Sequence, residues 1–144
     1  MREPAIPGFF RLCLLAVTGW LLAGASLAEV VELEMAGGLP ATAELLEGDA
    51  EGADPVLILH GFLQTREFAT VRRLGEALNE AGYMVLLPTL SLGVPRRSQS
   101  LQCEALHLHD LDGDGREVAR WVEWLSRRTG RRVAVIGHNA GGAC

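Results

Sequence analysis

The sequence contains no lysine: all 13 basic residues among its 144 are arginine. That absence removes a P-loop phosphate site, a Schiff-base lysine and a Ser–Lys catalytic pair. A basic stripe is missing too. The net charge is −5, and nucleic acid binding draws on clustered positive charge, so the composition argues against nucleic acid as a partner. The arginine pairs at 72–73, 96–97, 127–128 and 131–132 are scattered among acids and read as solvated faces and helix ends. Cysteine is scarce. Cys103 and Cys144 lie outside the N-terminal apolar stretch that holds Cys13, and neither has metal-ligand spacing. They are compatible with one disulfide in an oxidising compartment or with two unpaired thiols.

The chain also lacks an apolar run long enough to span a bilayer, which takes about 18–20 residues. Its longest, LCLLAVTGWLLAGA over 12–25, is shorter and holds Gly19 and Gly24. With Arg2 and Arg11 before it and Ser26-Leu27-Ala28 after it, the segment reads as a secretory signal over 1–28, cleaved before Glu29. The expectation is export, to the periplasm or beyond the cell, with no stable membrane span after cleavage. An uncleaved N-terminal anchor is the alternative.

The rest, 29–144, reads as part of one α/β domain. Residues 30–35 (VVELEM) alternate apolar and acidic side chains as a half-exposed strand does, and 41–46 form a second, weaker strand after a Gly37-Gly38 turn. The acidic, turn-rich stretch 48–55 leads into VLIL at 56–59, a continuous apolar run of the kind buried on both faces of a parallel sheet. Thr65 can cap a helix over 65–81 that places Phe68, Val71, Leu74 and Leu78 on one face and stops at Gly82. A strand over 83–87 (YMVLL) closes at Pro88. A turn-rich segment follows over 89–111. A helix over 115–129 then aligns Val118, Trp121, Val122 and Leu125, and Gly130 ends it. VAVI at 133–136 is a third apolar strand. This alternation specifies a mostly parallel sheet with helices on both faces. Trp121 and Trp124 read as packing residues.

Two motifs carry chemistry. Gly137-His138-Asn139-Ala140-Gly141 directly follows the VAVI strand, and VLIL runs into His60-Gly61-Phe62. Together, and with a helix, a strand and a helix between them, they resemble the α/β-hydrolase superfamily over its N-terminal part, ending at the nucleophile elbow G-x-S-x-G. The glycines let the backbones on a strained strand-to-helix turn approach each other. The resemblance implies that Asn139 occupies the nucleophile position. It also implies that the backbone amides of Phe62 and Ala140 form an oxyanion hole, where one donor is worth about 10²–10³ in rate. His60 is expected to orient the loop rather than to transfer protons.

An amide is no serine-type nucleophile. In this family the acid and the histidine follow the nucleophile in sequence, and five residues follow Asn139. Ser91, Ser98, Ser100 and Ser126 lack the elbow context, and His107 and His109 precede it. The expectations are therefore an exported protein of hydrolase ancestry, directed at ester or related acyl bonds but catalytically silent as written. The alternatives are a non-catalytic pseudo-hydrolase that binds a ligand, or a truncated fragment whose elbow strand is an exposed edge. The partner, if any, is a small ester-like molecule, and no cofactor is expected. Asp110-Leu-Asp112-Gly-Asp114-Gly115 resembles the first half of a calcium loop, but position 12, where a glutamate belongs, is Trp121. It reads better as an acidic, capped helix start, and no metal is expected.

Overall fold

A computed structural model describes residues 28–102 and 110–138. The signal segment, save Ala28, lies outside the described residues. So do Cys103, His107, His109, Asn139, Ala140 and Cys144. The element order is β1 (Ala28–Glu34), β2 (Pro40–Leu46), β3 (Val56–Leu59), α1 (Ala69–Glu80), β4 (Val85–Thr89), α2 (Leu111–Thr129) and β5 (Ala134–Gly137). A single 3₁₀ turn at Ala36–Gly38 joins β1 to β2.

The five strands form one sheet in the order β1-β2-β4-β3-β5. β2 pairs antiparallel with both β1 and β4, while β3 pairs parallel with β4 and β5. Four strands therefore run in one direction and β2 alone runs against them, a mostly parallel sheet. The unbroken apolar runs serve two faces at once, because strand side chains alternate. Leu57 and Leu86 join Val31, Ala43, Leu45, Trp121 and Leu125 in the core beneath α2. Val56, Ile58, Val85 and Leu87 pack with Val71 of α1 on the other face. The expected placement of helices on both faces is observed.

Several boundaries differ from the sequence reading. α1 starts at Ala69, not at Thr65, and its N-cap residue Phe68 makes no side-chain cap. Thr65 instead closes a separate turn: its hydroxyl accepts from the Glu67 N–H at 3.2 Å and its carbonyl from the Phe68 N–H at 3.1 Å. Val71 is buried as expected, whereas Phe68 and Leu74 are partly exposed. Gly75 is the residue that lets α1 close on the sheet, since a Cβ there would sit 3.1 Å from the Leu87 methyls. Pro88 lies inside β4 rather than ending it. Its missing N–H is tolerated because the β3 ladder stops at Leu86, leaving only β2 alongside.

α2 starts four residues earlier than the periodicity predicts. Asp110 is its N-cap, accepting from the Gly113 N–H, with Asp112 and Asp114 in the first turn. The calcium-like string is thus the capped start of a helix. Gly130 ends α2 in the left-handed conformation, φ 67°. β5 is apolar but stands at the edge of the sheet among the described residues, with Val135 49% and Ile136 37% exposed. The run length that reads as a buried strand reports only what the strand can bury against.

Candidate functional site

The carboxyl ends of the parallel strands β3, β4 and β5 open at the same edge of the sheet, the place where ligands bind in open α/β folds. β3 and β5 run in step to their last residues, with Leu59 opposite Gly137, and the His138 N–H donates to the Leu59 carbonyl at 2.9 Å. The turn at His60-Gly61-Phe62 therefore leaves the sheet beside His138, the residue that precedes Asn139. The two sequence motifs, 77 positions apart, become neighbours at this edge.

His60 is buried at the head of that turn. Its Nδ1 lies 2.8 Å from the Gly61 carbonyl, and its Nε2 accepts the Leu90 N–H at 3.0 Å. An Nε2 that accepts leaves the ring proton on Nδ1, which donates to Gly61. Burial lowers the pKa to about 4, against the opposing hydrogen bond to Gly61, and the Arg97 charge lowers it further. The imidazole is neutral at neutral pH with both nitrogens committed. It holds the β3 and β4 loops together, the orienting role read from its strand-end position.

Arg97 corrects the sequence reading outright. It is 3% exposed, not a solvated face. Its guanidinium donates to the carbonyls of Leu90 at 2.7 Å, Gln64 at 2.6 Å, Gln99 at 3.0 Å and Leu63 at 3.3 Å. Nη2 also lies 3.4 Å from Nε2 of His60. Burial lowers its pKa to about 10, so it stays charged at neutral pH. Its neighbour Arg96 turns outward, forking onto the Glu32 carboxylate at 2.6 and 2.7 Å. A buried arginine is stable only where its fixed fan of donors meets matched acceptors, and four carbonyls from three loop segments supply them.

Beyond β4, Ser91 and Glu117 form a second buried contact. A cleft of about 520 Å³ opens beside them, lined by Met35, Leu39, Leu92, Asp114 and Arg120. The Glu117 carboxylate accepts the Ser91 N–H at 2.9 Å and the Ser91 hydroxyl at 2.6 Å, and burial raises its pKa. The Ser91 hydroxyl is a donor to a carboxylate held by packing, with no imidazole in this pair. His138 packs on the Phe68 ring at 5.3 Å, and its Nδ1 is buried without a hydrogen-bond partner. Among the described residues, no group of three or more His, Cys, Asp or Glu side chains could hold a metal ion. No helix among them is long and apolar enough to cross a membrane.

Comparison with solved structures identifies the fold. The chain is similar to a dienelactone hydrolase from Anabaena variabilis, with a TM-score of 0.62 and 23% identity over 81% of this chain and 53% of that one. It is similar to a Pyrococcus furiosus esterase, with a TM-score of 0.58 and 18% identity over 94% of this chain and 48% of that one. An alpha/beta hydrolase from Novosphingobium aromaticivorans matches with a TM-score of 0.56 and 25% identity, over 83% and 38% of the two chains. The fold is that of the α/β-hydrolases. No protein-family model matches the chain, and no curated protein matches it in sequence. The chain spans about 38–53% of the length of these three solved hydrolases.

Within the α/β-hydrolase fold, Phe62 stands in the turn directly after β3, partly exposed, and Leu63 beside it has φ 58°. Asn139 and Ala140 lie outside the described residues. Arg97, Glu117 and the partner role of Ser91 are the features of this hydrolase-fold edge that the sequence reading missed. The dipeptide Arg96-Arg97 carries no signal that one side chain turns inward. Glu117 sits in a helix of alternating acids and bases, where a buried acid looks like its exposed neighbours.

Proposed function

We propose that the chain forms the N-terminal part of an exported hydrolase-fold protein whose ancestral chemistry is cleavage of ester or related acyl bonds. In this reading the Phe62 amide, with that of Ala140, receives the developing oxyanion, and Asn139 stands where the nucleophile would be. The observation that carries it is the register of β3 and β5. Leu59 opposite Gly137, and His138 bonded to Leu59, bring the Phe62 turn beside the segment leading into Asn139. The solved neighbours named as esterase and dienelactone hydrolase support the same class.

A carboxamide offers no hydroxyl to deprotonate, and His60, with both nitrogens committed, is no general base. In this reading the position is catalytically silent as written, and a pseudo-hydrolase that binds a small ester-like molecule without turning it over is the alternative. Activated esters such as p-nitrophenyl acetate test the reading, with Asn139→Ala as the control. Equal background rates for the two chains fit it, and hydrolysis abolished by Asn139→Ala overturns it. Export is tested by cell fractionation and by sequencing of the mature N-terminus, expected at Glu29.

A further inference from the structure

We propose that Arg97 is the positioning residue of the oxyanion loop, holding residues 61–64 in the conformation that directs the Phe62 backbone amide toward an acyl oxygen. The proposal rests on the reading of this loop as the oxyanion loop and names the residue that shapes it. Leu63 is left-handed at φ 58°, a conformation that costs energy for any residue with a side chain and that the sequence of the loop does not favour. Gly61 and Gln64 close the turn from within, the Gly61 N–H donating to Gln64 Oε1 at 3.2 Å and the Gln64 N–H to the Gly61 carbonyl, and Arg97 holds it from outside.

Arg97 reaches the two carbonyls that follow the Leu63 Cα, that of Leu63 at 3.3 Å and that of Gln64 at 2.6 Å. The Leu63–Gln64 peptide held this way sends its N–H to the Gly61 carbonyl, which also accepts from His60, and the Phe62 N–H of the Gly61–Phe62 peptide points away from that carbonyl. The rest of the guanidinium anchors to Leu90 after β4 and to Gln99, so the loop is referenced to the sheet through a second strand. His60 adds a parallel tie through Leu90. The Leu101 N–H closes on the Leu63 carbonyl at 2.9 Å, and the Gln64 N–H on that of Gly61 at 3.1 Å. These two amides report whether the loop is in place. A lysine would keep the charge but cannot span four acceptors with one point donor.

Backbone amide exchange and ¹H–¹⁵N spectra of the full chain test this in Arg97→Lys and Arg97→Met, with sodium acetate as the anion probe. In the parent chain acetate shifts the Phe62 resonance. In the variants the Gln64 and Leu101 amides exchange at least about tenfold faster, while Leu57 and Leu86 in the sheet keep their protection, and the acetate shift at Phe62 is lost. If Arg97→Met fails to fold, Arg97→Lys carries the same comparison. Unchanged exchange at Gln64 and Leu101 overturns the proposal, as does faster exchange with the acetate response retained. Faster exchange together with no acetate response in the parent chain overturns the oxyanion reading itself, and the positioning role with it.

Discussion

Ser91 donates both its backbone N–H and its hydroxyl to the carboxylate of Glu117, at 2.9 and 2.6 Å, tying the chain leaving β4 to the buried side of α2. The carboxylate is 6% exposed, and burial raises its pKa above the ordinary 4.5 despite the two hydrogen bonds and the attraction of Arg97. A raised carboxyl pKa means that the folded chain holds the proton more tightly than the unfolded one. Its contribution to stability is therefore full below pH 4.5 and is lost as pH rises through the folded pKa. Glu117→Gln keeps an acceptor for the Ser91 N–H and removes the charge. The variant is expected to gain on the parent as pH rises from about 4.5 to 8, read by urea unfolding across that range. A parallel pair of stability curves would show that Glu117 does not titrate on folding.

His60 acts in the opposite direction. Its pKa falls from 6.5 to about 4, chiefly through burial, so the unfolded chain takes up the proton first. Stability is full above pH 6.5 and is lost as pH falls through about 4. The shift corresponds to about 3 kcal/mol. His60→Gln, able to donate to Gly61 and accept from Leu90, removes the titration. Between pH 7 and pH 4 the parent should lose about 3 kcal/mol more than the variant. Thermal unfolding at the two pH values gives the difference, and an equal loss in both chains would place the acid sensitivity elsewhere.

The layers of the fold and the neighbourhood of the two motifs were legible because they rest on local pattern. VLIL at 56–59 must bury both faces, and a glycine-flanked turn after a strand must open at the end of a sheet. What escaped depends on features without a local signature. Leu63, Leu92 and Arg96 have positive φ although none is glycine, and these turns bring Arg97 inward while Arg96 points to Glu32. Glu117 is buried because the chain after β4 lies over it, a contact between residues 26 positions apart. Apolar periodicity places the start of α2 only at 115, because the first turn carries no apolar stripe; the acidic string at 110–115, read as a capped helix start, marks the true beginning despite Gly113 and Gly115. The Asp110 cap and the acids behind it outweigh them.

The Asp110 cap sets up a contest between two accounts of the acidic string. As an N-cap, Asp110 satisfies the Gly113 N–H, and Asp110→Ala should cost about 1 kcal/mol of global stability. As a calcium loop, it would give a chain whose melting temperature rises with the ion and falls back with a chelator. The capped helix predicts the first effect without the second. Differential scanning calorimetry of parent and variant, with and without millimolar calcium, checks both in one series.

Three glycines differ in what a methyl group would meet, and they order into a stability series. At Gly115, inside α2, an added Cβ has nothing within 4 Å and the backbone is not left-handed. Gly115→Ala should stabilise by about 0.5–1 kcal/mol, because alanine gives up less backbone freedom on folding. Gly130 also has open space, but its φ of 67° is the left-handed helix cap, so Gly130→Ala should cost about 1 kcal/mol through backbone strain alone. At Gly48 the Cβ would overlap the Tyr83 carbonyl carbon, the Gly82 oxygen and the Met84 nitrogen. Those are backbone atoms of the turn into β4, so relief requires the chain leaving β2 to move away from the chain entering β4. Gly48→Ala should therefore be the worst of the three, at about 1–3 kcal/mol or beyond. Chemical denaturation of the three variants gives the order, and a Gly48→Ala chain as stable as the parent would mean that this turn packs less closely than the structure places it.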